Sequence, residues 1–231
     1  MLIIGHRGAK ALKLENTIDS LRLAAKLGVD VLEFDVHLTK DGVPILLHDS
    51  SLLRTHHKIN FVSKTNYEDL VRITEKDDKK LTSLVEVLDE FFGKIMLNIE
   101  LKTKPSAKVV MKLLKRDYVK SASDWNKVLI SSFKPRALRA VRKQNKRVAL
   151  SILHATNPFL FIAYYRALNL EAVGWHNAHM NSLALAIAKK MKLFTYVYTV
   201  NHVDRAKYLE SIGLDAVVTN FPDRFVDYPR D

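Results

Sequence analysis

The stretch that decides the fold is residues 1–38, which begins with the apolar run MLIIGHRG at 1–8 and ends with VLEFDVHL at 31–38. Each run has the length and apolar character of a buried strand. Residues 17–27 lie between them and have the pattern of an amphipathic helix, which Gly28 follows as a terminating glycine. The order strand, helix, strand is typical of a parallel βαβ unit.

The same alternation continues to the end of the chain. Strands are predicted at 2–6, 31–38, 94–101, 127–131, 147–153, 171–175, 193–200 and 215–219. Helices are predicted between them at 17–27, 83–92, 106–118, 135–144, 158–168, 182–192 and 203–212. Eight such units in 231 residues predict a TIM (β/α)8 barrel, whose usual length is about 250 residues. A doubly wound open sheet is the alternative.

Two segments after the second strand interrupt this alternation. Residues 43–48 have the pattern of a short extra strand, which follows a turn at Lys40-Asp41-Gly42. Residues 49–80 are polar and too long for a simple connection, so they predict a small insertion that covers the site. Neither a repeat nor a Pro- or Ser-rich linker is visible. We therefore expect a single barrel domain over 1–231, with an insertion at about 49–80.

The composition narrows the class of protein. With 48% hydrophobic and 27% charged residues, the chain resembles an ordinary globular protein. No apolar run reaches the roughly 18 residues that span a bilayer, and no signal segment precedes the first strand, so we expect a cytoplasmic location and no transmembrane segment. The absence of cysteine excludes disulfides and thiolate metal sites. A bound metal would therefore take oxygen or nitrogen ligands.

The net charge of +12 favours encounters with anions. The basic residues are spread over predicted helices, as at 108–120, 134–147 and 189–192, where a solvated helix face is the simplest interpretation. No zinc-finger, helix-turn-helix or aromatic RNA-binding signature accompanies them. We expect no specific nucleic-acid partner, while weak association with an anionic surface stays open. The oligomeric state is not determined.

Polar side chains follow the first two predicted strands. His6 and Arg7 lie between Gly5 and Gly8, at the carboxyl end of a strand, where α/β proteins place ligand sites. A surface turn is the alternative for this pair. Glu33 and Asp35 are two residues apart, so they share one face of their strand. Two adjacent carboxylates repel each other, and a shared Mg²⁺ or Ca²⁺ relieves this repulsion.

Three more residues extend this set. Glu100 lies near the end of the third long strand and could supply a further metal oxygen. Lys102 follows on the same face as a candidate clamp for a phosphoryl oxygen, unless the two form a surface ion pair. His48 ends the extra strand, and with His6 it could divide the work of general acid and general base. His37 is left out, because a turn follows it at once.

The motifs together resemble the glycerophosphodiester phosphodiesterase family. They occur in family order along the whole chain, as His6-Arg7-Gly8, Glu15-Asn16-Thr17, the segment EFDVHLTKDG at 33–42, His48-Asp49, Glu100-Leu101-Lys102 and Tyr198-Thr199-Val200-Asn201. HRG by itself is a weak signal, but the combination is highly specific.

The resemblance implies a TIM-barrel enzyme that uses one divalent cation, Mg²⁺ or Ca²⁺, to hydrolyse a small-molecule glycerophosphodiester to glycerol 3-phosphate and an alcohol. It implies that the metal ligands are Glu33, Asp35 and Glu100, that the catalytic acid and base are His6 and His48, that the phosphate clamp is Arg7 and Lys102, and that Glu15 has a supporting role. Asn16-Thr17 could instead cap the first helix.

Two positions depart from the family pattern. Tyr198 stands where the family commonly has Trp, and Asn220 stands where the family commonly has Asp before x-Pro. Neither removes a residue with an assigned role, but both bear on the shape of the pocket.

Two other functions are compatible with the sequence. A lysophospholipase D-type phosphodiesterase, which acts on lysophospholipids, would need an apolar rim, and Leu52, Leu53, Ile59, Phe61 and Tyr67 of the insertion could supply one. These side chains could equally pack the insertion onto the barrel. A barrel that binds phosphate-rich partners without turnover has only the charge in its favour.

Overall fold

The computed structural model describes residues 1–75 and 80–229. Within these ranges one nine-stranded sheet has the order β1-β9-β8-β7-β6-β5-β4-β2-β3, and an additional β1–β2 pairing closes it. All pairings are parallel except that of β3 with β2, so the strands other than β3 form a closed barrel of eight. The predicted TIM barrel is confirmed, and the open sheet is excluded.

The elements alternate as the sequence indicates. The strands are β1 (Leu2–Gly5), β2 (Val31–Leu38), β3 (Pro44–Leu46), β4 (Met96–Leu101), β5 (Val128–Ser132), β6 (Ala149–His154), β7 (Ala172–His176), β8 (Phe194–Tyr198) and β9 (Ala216–Thr219). The α-helices of the described residues are α1 (Ile18–Lys26), α2 (Leu53–His56), α3 (Tyr67–Glu75), α4 (Leu84–Phe91), α5 (Lys104–Leu113), α6 (Pro135–Gln144), α7 (Phe161–Leu168), α8 (Ser182–Lys190) and α9 (Val203–Ser211).

The helix boundaries follow from local hydrogen bonding. The Thr17 side chain caps α1 by accepting from the Ser20 backbone N–H, and Ser83 with Glu86 forms a capping box at α4. The predicted start of α5 at residue 106 is wrong, because Thr103 caps a helix that begins at Lys104. The predicted end at 118 agrees with the end of the helical segment, although α5 itself ends at Leu113 and a π-helical turn continues to Tyr118.

The start of α7 differs from the prediction for a physical reason. The sequence predicts that this helix begins at residue 158, yet α7 begins at Phe161. The carbonyl of Pro158 instead accepts a hydrogen bond of 2.8 Å from the buried Trp175 indole, which fixes the preceding segment against β7. Tertiary contact therefore decides this boundary.

Two hydrophobic layers hold the barrel. The outer layer packs the helices against the strands, and its largest fully buried side chains include Trp175, Phe34 and Phe161. The inner layer fills the barrel and is contributed by Ile4, Val31, Leu129, Leu153, Ala172, Tyr196, Ala216 and Val218. Strand residues therefore alternate between the two layers, and the polar side chains at the carboxyl ends lie above the inner one.

The predicted insertion is not structureless. It contains α2, a 3₁₀ turn at Val62–Lys64 and α3, while residues 76–79 of the predicted range lie outside the described residues. Leu52, Val62 and Leu70 are buried and pack with Ile45 and Leu47 in a small separate core. The extra strand is shorter than the predicted 43–48, because β3 pairs with β2 only over Pro44–Leu46.

None of the helices in the described part of the chain is both long enough and apolar enough to cross a membrane.

Candidate active site

The loop after β1 aims two side chains over the barrel. Arg7 has a left-handed backbone with φ of 52°, and Gly8 follows with φ of 83°. A Cβ on Gly8 would lie 2.5 Å from the Ser20 carbonyl carbon, so only glycine fits between this loop and α1. The turn brings the Arg7 backbone N–H within 2.9 Å of the Glu33 carboxylate.

Three carboxylates converge at the adjacent ends of β2 and β4. Glu33 and Asp35 lie on one face of β2, and Asp35 is opposite Glu100 in the parallel β2–β4 register. All three residues are buried, and each offers a carboxylate oxygen within 4.8 Å of the others. The structure therefore brings together the three predicted metal ligands, a hard oxygen donor set of the kind that Mg²⁺ and Ca²⁺ prefer.

Two cationic side chains border this acidic cluster. The Lys102 Nζ atom lies 2.7 Å from Asp35 Oδ1 and 2.5 Å from Glu100 Oε1. The Arg7 Nε atom lies 3.1 Å from Asp35 Oδ2. Burial opposes the charge on Lys102, but Asp35 and Glu100 outweigh it and raise the pKa of the ammonium. Both cations predicted to clamp phosphate are therefore present and charged.

These two cations do not fully neutralise the three carboxylates. Burial, followed by repulsion from Asp35 and Glu100, raises the pKa of Glu33 well above its usual value. Burial and Asp35 likewise raise the pKa of Glu100 to about 7. Burial also opposes ionisation of Asp35, but Lys102 and Arg7 hold its pKa below the usual range. A divalent cation would supply the missing charge, so the residues fit a metal.

Glu15 is a counter-ion of Arg7, one of the two residues predicted to bind phosphate. Its carboxylate accepts a 2.7 Å hydrogen bond from Arg7 and is paired with Arg54 and, at 3.2 Å, with Lys10. Burial raises the pKa of Glu15, yet the hydrogen bonds from Arg54 and Arg7 prevail and lower it to about 2. Glu15 is not in the metal cluster. It holds Arg7 in place, which agrees with a supporting role.

The two predicted catalytic histidines line one cavity of about 320 Å³ together with Arg7, Glu33 and Glu100. His6 Nδ1 lies 2.5 Å from Asn220 Oδ1, and burial with the Arg7 charge lowers the pKa of His6 to about 4. His48 Nδ1 lies 2.7 Å from Asp49 Oδ1. Each ring is therefore held through Nδ1.

His37 contacts the segment that carries His48. Its Nε2 atom lies 3.2 Å from the backbone carbonyl oxygen of His48, and the residue is not part of the carboxylate cluster. Burial lowers the pKa of His37. Its omission from the predicted ligands agrees with this geometry, and its contact instead supports the segment that carries His48.

The structure adds positioning residues that the sequence analysis did not assign. Asn16 donates to the Asp35 carboxylate at 2.9 Å and accepts from the Asp35 N–H at 3.1 Å, so it orients Asp35 while Thr17 alone caps α1. Arg54, on α2, donates to Asp49 at 2.6 Å and so braces His48. The ENT and HD motifs point to Asn16 and Asp49, but no motif includes Arg54, which lies beyond the HD motif and pairs with Glu15 from a distant part of the chain.

The floor of the cavity carries two unpaired polar atoms. Among the described residues, Asn98 Oδ1 and Ser131 Oγ are buried without a hydrogen-bond partner, and both residues line the cavity. Ser131 is opposite Glu100 in the β4–β5 register. Buried polar groups are nearly always paired, so these two atoms are directed toward whatever occupies the cavity.

Comparison with known proteins identifies the family. The model of the glycerophosphoryl diester phosphodiesterase family matches residues 6–224. The chain belongs to this family. A glycerophosphodiester phosphodiesterase of Caldanaerobacter subterraneus is 28% identical over 242 residues, covering 99% of this chain and 98% of the relative. A glycerophosphodiester phosphodiesterase of Bacillus altitudinis is 27% identical and covers 97% of this chain and 96% of its own.

Solved structures of family members share the fold. A phosphodiesterase of Oleispira antarctica, in complex with its product sn-glycerol-3-phosphate, has a TM-score of 0.85 at 24% identity, covering 97% of this chain and 94% of its own. A glycerophosphodiester phosphodiesterase of Thermotoga maritima has a TM-score of 0.84 at 23% identity, with coverage of 99% and 98%.

Both departures from the family pattern lie at the cavity of this family member. Tyr198 lines it and donates a 2.9 Å hydrogen bond to the backbone carbonyl of His154, with Phe133 and His176 at ring distances of 5.8 and 5.9 Å. Asn220 holds His6 through its neutral amide. These residues therefore shape the cavity and the charge environment of one histidine.

Proposed function

We propose that this chain hydrolyses glycerophosphodiesters to glycerol 3-phosphate and an alcohol with one divalent cation, Mg²⁺ or Ca²⁺. One observation carries the proposal: three buried carboxylates and two cations meet at one end of the barrel, beside a cavity that both imidazoles line. Family membership supports the reaction class, and the chemistry of the site supports the roles that follow.

Charge neutralisation is the first requirement of the reaction. A phosphodiester repels nucleophiles because its nonbridging oxygens are negative. Arg7 and Lys102 would bind these oxygens and orient the diester above the carboxylates. Glu33, Asp35 and Glu100 would hold the cation, which when bound supplies Lewis-acid stabilisation of the phosphoryl oxygens. Removal of any of the three carboxylates should therefore remove metal and activity together.

The two histidines would move the protons. With water as the nucleophile, one bond forms between phosphorus and the water oxygen and one breaks between phosphorus and the alcohol oxygen, which gives glycerol 3-phosphate directly. With the neighbouring glycerol hydroxyl as the nucleophile, the same exchange releases the alcohol and leaves a cyclic phosphate, which water then opens to glycerol 3-phosphate. We assign His6 as general base, because its low pKa leaves Nε2 unprotonated at neutral pH. Burial lowers the pKa of His48, but the Asp35 and Asp49 carboxylates favour its charged form and offset part of that effect, so we assign His48 as general acid.

The test of the reaction is release of glycerol 3-phosphate from glycerophosphocholine and glycerophosphoethanolamine. We expect release with added Mg²⁺ or Ca²⁺, its loss in EDTA, and a loss of about 10²- to 10⁴-fold in His48→Ala, which should remain folded. Absence of release from folded, metal-loaded protein would refute the proposal. Release that persists in EDTA would refute its metal requirement.

A substitution at Asn220, which contacts His6, tests the assignment of His6 as base and His48 as acid. Asn220→Asp places a carboxylate beside the imidazole and raises the pKa of His6 above its value of about 4. A base must be unprotonated, so the acid limb of the kcat/KM profile should move to higher pH. An acid limb that stays in place while the alkaline limb moves would reverse the two assignments.

A second candidate function has a specific observation in its favour. Leu53, Ile59 and Phe61 of the predicted insertion are exposed, with 57%, 83% and 49% of their surface accessible, although Leu52 is buried in the small core. Exposed apolar side chains near a site are typical of contact with lipid. Hydrolysis of lysophosphatidylcholine that depends on detergent or vesicles would establish a lysophospholipase D-type activity. Hydrolysis of the water-soluble diesters alone would exclude it.

A further inference from the structure

A groove of about 580 Å³ adjoins the active-site cavity at the N-terminal ends of α5 and α6. Its lining includes four exposed cationic residues, Lys104, Lys134, Arg136 and Arg139, which we call the basic groove. No carboxylate belongs to this lining in the described part of the chain, where none of the four forms an ion pair. The groove therefore carries an uncompensated formal charge of about +4.

The basic groove is continuous with the catalytic residues. Phe133 lines both the groove and the active-site cavity. A third cavity of about 250 Å³ lies between them and is lined by His48, Lys102 and Lys134, so Lys134 belongs to it and to the groove. A substrate held at Lys102 can extend past Phe133 into the groove without crossing another element.

Backbone groups add to the positive potential of the groove. Two ten-residue helices begin at it, α5 at Lys104 and α6 at Pro135, and each directs the positive end of its dipole there. No side chain caps α6, but Pro135 lacks an N–H and the Ala137 and Leu138 N–H groups donate to the Lys134 carbonyl, so in the first turn only the Arg136 N–H is available to an anion. Side-chain cations, helix ends and a concave shape all favour an anion of the phosphate class.

We propose that the basic groove binds a second phosphate, carried by the alcohol portion of the diester. This inference rests on the proposed function, because it places the scissile phosphate at Arg7 and Lys102 and the alcohol toward Phe133. The substrates it selects are glycerophosphodiesters whose alcohol is itself phosphorylated. The guanidinium groups of Arg136 and Arg139 suit such a ligand, since they form paired hydrogen bonds with phosphate oxygens.

The test compares two substrates that differ by one phosphate, glycerophosphoinositol and glycerophosphoinositol 4-phosphate. We expect a higher kcat/KM for the 4-phosphate in the wild type. The double variant Arg136→Gln/Arg139→Gln should lower that value by about tenfold or more, mainly through KM, and leave glycerophosphoinositol unchanged. Lys112→Gln/Lys115→Gln removes the same charge from exposed positions outside the groove and should change neither. Equal effects of the groove variant on both substrates would overturn the proposal.

A binding measurement keeps the proposal separate from turnover. Calorimetry with inositol 4-phosphate, the alcohol product alone, should show binding to the wild type that Arg136→Gln/Arg139→Gln weakens by about tenfold. Failure of the wild type to hydrolyse any diester would refute the proposed function. This titration would still show whether the basic groove binds a phosphate. Absence of inositol 4-phosphate binding, with loss of sedimentation on phosphatidylglycerol vesicles in the variant, would overturn the proposal and assign the groove to a lipid surface.

Discussion

At the scale of single residues, the order of the active site depends on which buried polar atoms have hydrogen-bond partners. Asn16 forms two hydrogen bonds with Asp35, and Glu15 accepts one from the Arg7 Nη1 group, so both Asp35 and Arg7 are held in place before a ligand binds. Asn98 and Ser131 differ, because atoms of both are left unpaired beside the cavity. An unpaired buried group costs free energy that a matching ligand recovers.

The Ser131 hydroxyl is expected to bind a hydroxyl of the glycerol portion. Wild-type protein should prefer glycerophosphocholine over propylphosphocholine, which lacks both hydroxyls, and Ser131→Ala should reduce this preference about tenfold by slowing the glycerol ester alone. Ser132→Ala is the matched control, because Ser132 does not line the active-site cavity and its hydroxyl already donates to the Leu101 carbonyl at 2.7 Å. Equal losses on both substrates would contradict a role for Ser131 in substrate recognition.

At the scale of elements, two connections place the catalytic side chains. The β1–α1 loop directs Arg7 at the carboxylates, and the short helix α2 reaches back to the end of the segment that carries His48. Both connections depend on contacts with residues that are distant in the chain. The positions of these side chains therefore depend on packing as well as on local conformation.

The β1–α1 connection is expected to be sensitive at Gly8. Gly8→Ala combines a positive φ with a Cβ placed 2.5 Å from the Ser20 backbone, and it should lower the free energy of unfolding by about 3 kcal/mol or more. Gly42→Ala is the control, since Gly42 has φ of 84° but open space around its Cβ, and about 1 kcal/mol is expected there. Urea denaturation measures both values. Equal costs would show that packing against α1 is unimportant.

Arg54 on α2 is expected to act on His48 through Asp49. Arg54→Gln removes the 2.6 Å hydrogen bond to Asp49 and the pairing with Glu15, so kcat should fall about tenfold with little change in stability. Arg72→Gln on α3 removes an exposed 3.5 Å ion pair with Asp69 and should leave kcat unchanged. Steady-state kinetics measures kcat, and thermal melting measures stability. A loss of stability that matches the loss of activity would make Arg54 merely structural.

At the scale of the whole molecule, buried histidines couple stability to pH. The His154 side chain ends β6 with only 5% of the residue exposed, and its Nε2 atom has no partner among the described residues. Burial lowers the pKa of His154 from 6.5 to about 4. Between these two values the unfolded chain binds a proton that the folded chain does not, so acid favours unfolding.

Stability should therefore be complete above pH 6.5 and fall by about 3 kcal/mol between pH 6.5 and pH 4 through His154 alone. His154→Leu should flatten the dependence over this window without reducing stability at pH 7, because it removes an unpaired polar atom. Replacement of the exposed His202 serves as the control. Urea midpoints measured from pH 4 to pH 8 provide the comparison, and an unchanged slope in His154→Leu would contradict this account.

The sequence by itself determined the barrel and the types of side chain at its carboxyl ends. Apolar runs separated by amphipathic segments specify strands and helices locally, and a period of two puts Glu33 and Asp35 on one face. The motifs also gave the resemblance to the family, which the matching family model confirms. These properties were readable because each depends on residues that are close together in the chain.

Only the tertiary structure decided how these residues support one another. The opposition of Asp35 and Glu100, the pairing of Arg54 with Glu15 and the unpaired Ser131 hydroxyl all arise where separate strands and loops meet. The raised pKa values of Glu33 and Glu100 have the same origin, since they depend on burial and on charges brought near by the closed barrel. Packing between distant segments sets these distances, and electrostatic energy depends on distance and burial.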